Sequence, residues 1–205
     1  MLSPKEITLY RDQGYLLLPG LLDAEWLRRA RAWLDGMVTH ASTMAVSDKQ
    51  FGLAMKDGQP IPGRLHKVQS LCVAAPEVLA LASAPMITGR VATLLGTDDL
   101  DVFGTKFFPK LPAGSTSTHW HQDNYYFGLV TEEIISCAIQ VDASDRSNGC
   151  LRVIPGSHKQ GRILPHKTDP KTPGSQILLD EAGAIDVACP EGTVVLFSAN
   201  LVHGA

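Results

Sequence analysis

GSTSTHWHQDNYYF, residues 114–127, is the stretch around which the chain is read. It has the pattern of a strand running into a turn, with His121 and Asp123 one residue apart. Residues two apart on a strand point to the same face, so this imidazole and this carboxylate can grip one ion. The third ligand expected is His203, in NLVHGA at the far end of the chain. Two histidines and one carboxylate on one face leave positions open for a substrate and O2, which is the arrangement of non-haem Fe(II) oxygenases. The end of the polypeptide must then fold back onto its middle. His119 shares the face of His121 if the strand is regular, but a fourth protein ligand would close a position, so it is read as lying outside the metal shell. Gln122 points the other way and is expected to fasten the turn.

Outward from this stretch, residues 100 onward read as short strands with turn signals between them: LDVFGTKFFP, STSTHWH, IISCAIQVD, CLRVIP, AIDVA and GTVVLFS. Such a series predicts an antiparallel sandwich or barrel. Asn148-Gly149 and Pro155-Gly156 mark turns, and residues 157–184 read as one long insertion over the barrel mouth. Upstream the signals are helical. Ser3-Pro4-Lys5-Glu6 predicts a capped helix ending at Gly14, GYLLLPG a short buried strand, and Asp23 the cap of a second helix. In that helix Trp26, Leu27, Ala30, Trp33, Leu34 and Met37 form a core stripe, and Arg28, Arg29 and Arg31 the solvated side. Residues 40–64 show no sustained period and are expected to be a long loop. Pro76 and Pro85 open two more helices that end near Gly96.

With 205 residues, 44% hydrophobic, the expectation is one domain with a substantial core, helical over about 1–97 and β over about 98–205. A net charge of −3 from 18 basic and 21 acidic residues, spread along the chain, offers neither a basic stripe for nucleic acid nor a polybasic run for a membrane. Cys72, Cys137, Cys150 and Cys189 lack Cys-x-x-Cys spacing and are expected to be free, mostly buried thiols. The charged N-terminus and the lack of an eighteen-residue apolar run predict a cytoplasmic protein.

The order HQDNYYF, a strand, SNGCLRVIPGSHKQG and GTVVLFSANLVHG, with YRDQGYLLLPG upstream, resembles the phytanoyl-CoA dioxygenase family of Fe(II)/2-oxoglutarate oxygenases along the length of the chain. The resemblance implies a double-stranded β-helix, the jelly roll of cupin-like proteins, with helices packed on one side. It also implies Fe(II) held by His121, Asp123 and His203, with 2-oxoglutarate and O2 as co-substrates and ascorbate as a reductant. The activity implied is hydroxylation of an aliphatic C–H of a small or medium-sized organic molecule, coupled to decarboxylation of 2-oxoglutarate to succinate. In related halogenases a small residue replaces the carboxylate, so Asp123 favours hydroxylation. Asn124, Tyr126 and Phe127 are candidates for lining the substrate pocket, with core packing as the alternative. For an acyl-CoA, Lys159, Arg162, His166, Lys167 and Lys171 are basic candidates, with a solvated charge run as the alternative. His158, in the PGSH stretch, is expected to hold loop geometry.

Family members continue past the distal histidine with a serine two residues on and then an arginine that anchors the distal carboxylate of 2-oxoglutarate. Here Ala205 stands at the serine position and the chain stops. The first expectation is a truncated C-terminus lacking the last strand. The second is another cation as anchor, Lys106 before Arg152, since a carboxylate calls for a buried cation. The third is a degenerate metal site. Other functional classes stay open beside the oxygenase: a metal-binding jelly roll without oxygenase activity, and a cupin-like isomerase or hydrolase.

Overall fold

The computed structural model describes residues 1–111, 117–129, 134–168 and 175–205. Contacts divide the chain into two compact units, one of Met1–Asp23, Thr93–Gly96 and Ser117–Ala205, the other of Ala24–Ala92 and Thr97–Thr116. The first helix and strand fall in the same unit as the strands of residues 117–205.

In the first unit, α1 (Pro4–Gln13) opens on a complete capping box, with the Glu6 N–H donating to Ser3 Oγ at 3.3 Å and the Glu6 carboxylate accepting the Ser3 N–H at 2.7 Å. Gly14 ends it in the left-handed region (φ 82°), where a glycine carries no steric penalty, and the His158 ring packs where a Cβ would stand. β1 (Tyr15–Leu18) follows as expected.

The second unit opens with α2 (Ala24–Ser42), which buries Leu27, Ala30, Met37 and Ala41. Its tryptophans are only half-buried, and the Arg29 guanidinium lies 4.5 Å from the Trp26 ring centroid and 5.4 Å from that of Trp33. The expected solvated arginine is thus a cation–π partner. The loop expected over 40–64 is largely a hairpin of β2 (Phe51–Lys56) and β3 (Gln59–Gln69). Asp57 and Gly58 both take positive φ (51° and 76°), as a two-residue type I′ turn requires. Register shifts at Gly52/Leu53 and Leu53/Met55 break the alternation, which is why no period of two shows in the sequence. The short helices α3 (Leu71–Ala74), α4 (Glu77–Ala82) and α5 (Pro85–Leu95) come next. β4 (Lys106–Phe107), all that forms of the strand expected in LDVFGTKFFP, pairs with β3. Met37, Ala41, Phe51, Leu53, Leu65 and Val68 form the core of this unit.

The remaining elements return to the first unit: α6 (Asp123–Phe127), β5 (Ile135–Gln140), β6 (Arg152–Val153), β7 (Lys167–Thr168), β8 (Ser175–Gln176), β9 (Ile185–Asp186), β10 (Thr193–Ser198) and β11 (His203–Gly204). Two antiparallel sheets, β1-β10-β5 and β11-β6-β9, carry the jelly-roll strands, and no closed barrel forms among the described residues. β10 is buried at every position, as its unbroken apolar run suggests for a central strand covered on both faces. Tyr15, Phe197 and Ser136 lie across from one another on one face, as do Leu17, Val195 and Ala138. That face meets Val153 of the other sheet and Val187 and Leu201 in one core. Residues 157–184 are less of a loop than expected, holding 3-10 turns at Ser157–Gln160 and Glu181–Gly183 and the β7–β8 pair; positions 169–174, Lys171 among them, lie outside the described residues. The four thiols are free, but only Cys150 and Cys189 are buried; Cys137 is exposed. No helix among the described residues is long and apolar enough to cross a membrane.

Candidate metal centre

The backbone brings the two histidines together before any ligand is considered. Residues 118–121 run antiparallel to 203–205: the His121 N–H donates to the His203 carbonyl and the His203 N–H to that of His121, both at 2.9 Å, and Thr118 and Ala205 exchange a second pair at 2.7 and 3.0 Å. The ladder explains why position 204 is a glycine, since a Cβ there would stand 2.9 Å from the Thr118 carbonyl oxygen. The strand then stops. Asp123 is the first residue of α6, so the two-apart argument for one strand holds only up to His121. Chain reversal into a helical turn delivers the carboxylate instead.

Each imidazole is oriented through its far nitrogen. His121 Nδ1 lies 2.7 Å from the His119 carbonyl and His203 Nδ1 2.9 Å from the Leu201 carbonyl. A carbonyl can only accept, so both Nδ1 atoms carry the proton and each Nε2 presents a lone pair that can ligate. The Nε2 atoms stand 3.5 Å (His121) and 3.7 Å (His203) from Asp123 Oδ1. All three ligand atoms lie within 4.8 Å of one another. Ser136 Oγ of β5 donates to Asp123 Oδ2 at 2.7 Å, leaving Oδ1 facing the imidazoles, and Phe197 covers the His203 ring with centroids 4.7 Å apart.

Burial on its own would raise the Asp123 pKa, but the two facing histidines and the Ser136 hydroxyl outweigh it and hold the carboxyl well below its ordinary range. An anion facing two imidazole lone pairs is an environment that a divalent cation satisfies in place of protons. The donor set of two nitrogens and one carboxylate oxygen fits the facial arrangement of Fe(II).

The other candidates sit elsewhere. Gln122 is completely buried and does fasten the turn: its Nε2 donates to the Asn200 carbonyl at 2.7 Å and its Oε1 accepts the Leu164 N–H at 2.7 Å. Asn124, proposed from sequence for the substrate pocket, is buried and donates to Asn200 Oδ1 at 2.9 Å, so its reading shifts to packing of the turn. Tyr126 is 49% exposed, edge-on to His121 at 5.7 Å, and its hydroxyl bonds the Ser175 backbone. Phe127 closes α6, half-buried. Arg152 is corrected. It sits opposite Gly204, while its neighbour Val153 sits opposite His203 and faces the core. Alternation therefore turns Arg152 to the other side of the sheet, where it pairs with Asp186 at 2.9 Å and Glu181 at 2.7 Å over the Trp120 ring. Lys106 lies exposed on β4 in the second unit. His158 does hold loop geometry, its Nε2 lying 3.1 Å from the Arg11 carbonyl. Ser136 and Asn200 were missed, and nothing in their local sequence marks them; His166, read as a basic candidate for an acyl-CoA, accepts the Gln122 N–H and stacks on Tyr125.

The sequence model of the phytanoyl-CoA dioxygenase (PhyH) family matches residues 10–205. The chain belongs to the phytanoyl-CoA dioxygenase family. Among curated relatives, the peroxisomal phytanoyl-CoA dioxygenase of mouse (Mus musculus) is 26% identical over 218 residues, taking in all of this chain and 64% of that protein. A probable phytanoyl-CoA dioxygenase of Caenorhabditis elegans is 28% identical over 223 residues, taking in all of this chain and 70% of that protein. The chain thus spans about two thirds of the length of these family members. Among solved structures, EctD from S. alaskensis with 2-oxoglutarate and 5-hydroxyectoine superposes with a TM-score of 0.77 at 19% identity, covering 99% of this chain and 70% of that one. That likeness supports the PhyH jelly-roll fold.

Proposed function

We propose that this family member is an Fe(II)- and 2-oxoglutarate-dependent dioxygenase that hydroxylates an aliphatic C–H of a small or medium-sized organic substrate. The observation that carries the reading is the convergence of His121 Nε2, Asp123 Oδ1 and His203 Nε2, each oriented by a hydrogen bond on its far side. When bound, Fe(II) supplies the oxidative chemistry that couples loss of CO2 from 2-oxoglutarate to insertion of an oxygen atom into a C–H bond. The chain's own contribution is placement. Three ligands on one side would leave the other side for the oxoacid and O2, and the Ser136 hydroxyl occupies Asp123 Oδ2, so that Oδ1 is the oxygen that would hold the ion. Tyr126, partly exposed beside His121, is the residue of α6 we assign to the substrate side, where a ring with a hydroxyl can meet an organic molecule.

With Arg152 turned outward, we assign no cation of the first unit to the oxoacid carboxylate. The same observation favours the second reading, a jelly roll that binds metal without oxygenase activity. Cytoplasmic residence belongs to the proposal as well; the mouse relative is named as peroxisomal, and fractionation of the native host checks the point.

One assay tests the first reading against the second. Purified protein with Fe(II), ascorbate and 2-oxoglutarate should release succinate even without the true substrate, and Asp123→Ala should abolish it. Metal uptake without succinate would favour the binding module, and succinate surviving in the Asp123→Ala variant would overturn the ligand assignment.

A further inference from the structure

The residue between the first two ligands is gripped on both its backbone and its side chain by one short loop, residues 162–166. Gln122 has no exposed surface. Its side chain spans from the Leu164 N–H to the Asn200 carbonyl, with a longer contact of 3.4 Å to the Arg162 carbonyl. Its backbone N–H donates to His166 Nε2 at 3.2 Å.

That last bond takes the place of a missing cap. α6 starts at Asp123 with Gln122 as N-cap, and no side chain caps it locally. In a capping box the N-cap N–H is satisfied by a Glu or Gln three residues on. Here that position is Tyr125, whose phenol cannot curl back to serve, and the ring stacked on it, 3.8 Å between centroids and 10° between planes, is that of His166. The imidazole reaches over Tyr125 and supplies the acceptor from 44 residues away. His166 Nδ1 lies 2.8 Å from the Leu164 carbonyl, so the proton sits on Nδ1 and Nε2 presents a lone pair to Gln122.

We infer that His166 is a positioning residue for the metal centre: it fixes the Gln122 peptide, and through it the relative placement of the His121 and Asp123 side chains. Its hydrogen bond goes to the Gln122 peptide and its ring stacks on Tyr125. The inference rests on the His121, Asp123 and His203 metal site proposed above. A ligand pair separated by one peptide, half on a strand and half on a helix, is held only as well as that peptide is held, and partners of this kind typically govern about 10–100-fold in metal affinity.

Co(II) is the probe, titrated into the full-length chain without oxygen and read by its visible d–d bands, with apo-protein melting followed in parallel. His166→Phe keeps a ring on Tyr125 and loses the acceptor; His166→Gln keeps an acceptor at the Nε2 position and loses the ring. Expected is a fall in Co(II) affinity of about 10–100-fold for the phenylalanine variant, with altered bands, and binding close to wild type for the glutamine variant. Wild-type affinity and bands in His166→Phe overturn the inference, whatever the melting temperature does. Should that variant not fold, His166→Gln decides: retained Co(II) affinity supports the role and a loss overturns it. A wild-type chain that takes up no Co(II) overturns the metal site itself, a result distinct from wild-type binding that is indifferent to residue 166.

Discussion

Ser136 and Gly204 show how single residues set the candidate centre without belonging to it. The Ser136 hydroxyl donates to Asp123 Oδ2, so Ser136→Ala frees the carboxylate to rotate and removes one of the bonds that keep it ionised. Co(II) affinity should drop about tenfold or more, with little change in apo melting; an unchanged titration would show that Asp123 is held by other means. Gly204 is a different case. A methyl there meets the Thr118 carbonyl, which is backbone and cannot swing aside. Gly204→Ala should therefore cost about 1–3 kcal/mol, the usual range for overpacking, in urea unfolding, and should weaken metal binding because His203 rides on the same ladder. Neither position announces itself in the sequence. A serine in ISCAIQ and a glycine after a histidine carry no signal until the chain pairs in space.

At the scale of elements, the capped helix at the N-terminus and the apolar strand β10 were legible because their information is local: a serine and a glutamate three apart, and an unbroken apolar run. The β2–β3 hairpin was not read, although its turn signal, Asp57-Gly58, stands in the sequence, because bulges scramble the alternation on either side. Both turn residues are left-handed. An alanine in place of Gly58 pays the left-handed penalty of roughly 1–2 kcal/mol, so Gly58→Ala should lower the urea midpoint without moving Co(II) binding, which depends on the other unit. A variant as stable as the wild type would mean that the turn can open without loss.

At the scale of the whole molecule, pH should act on stability in one direction. His66 is held below the usual imidazole pKa of 6.5 by burial first and then by Lys67 and Lys110, and His166 by burial first and then by His121, against the raising effect of the Leu164 carbonyl. A group whose folded pKa is depressed is protonated first in the unfolded chain, so its stabilising contribution is complete above about pH 6.5 and is lost as pH falls through the folded value. Asp48, Asp145, Glu181 and Asp186 are depressed as well and add a loss of the same sign at lower pH. The melting temperature of the metal-free protein should therefore decline as pH is lowered from about 7.5 to about 5. A melting temperature that rises over that interval would contradict the assignment. The sequence by itself determined an antiparallel β class, because strand periods and turn residues are written in neighbouring positions, and the family resemblance carried by its motifs supplied the jelly roll and the order of the proposed ligands. Tertiary structure alone decided that Asp123 comes off a helix, that Arg152 faces away from His203, and that a loop histidine braces the ligand turn. Those outcomes depend on which strands pair and on which face each side chain then meets, and that is set by contacts between residues tens of positions apart.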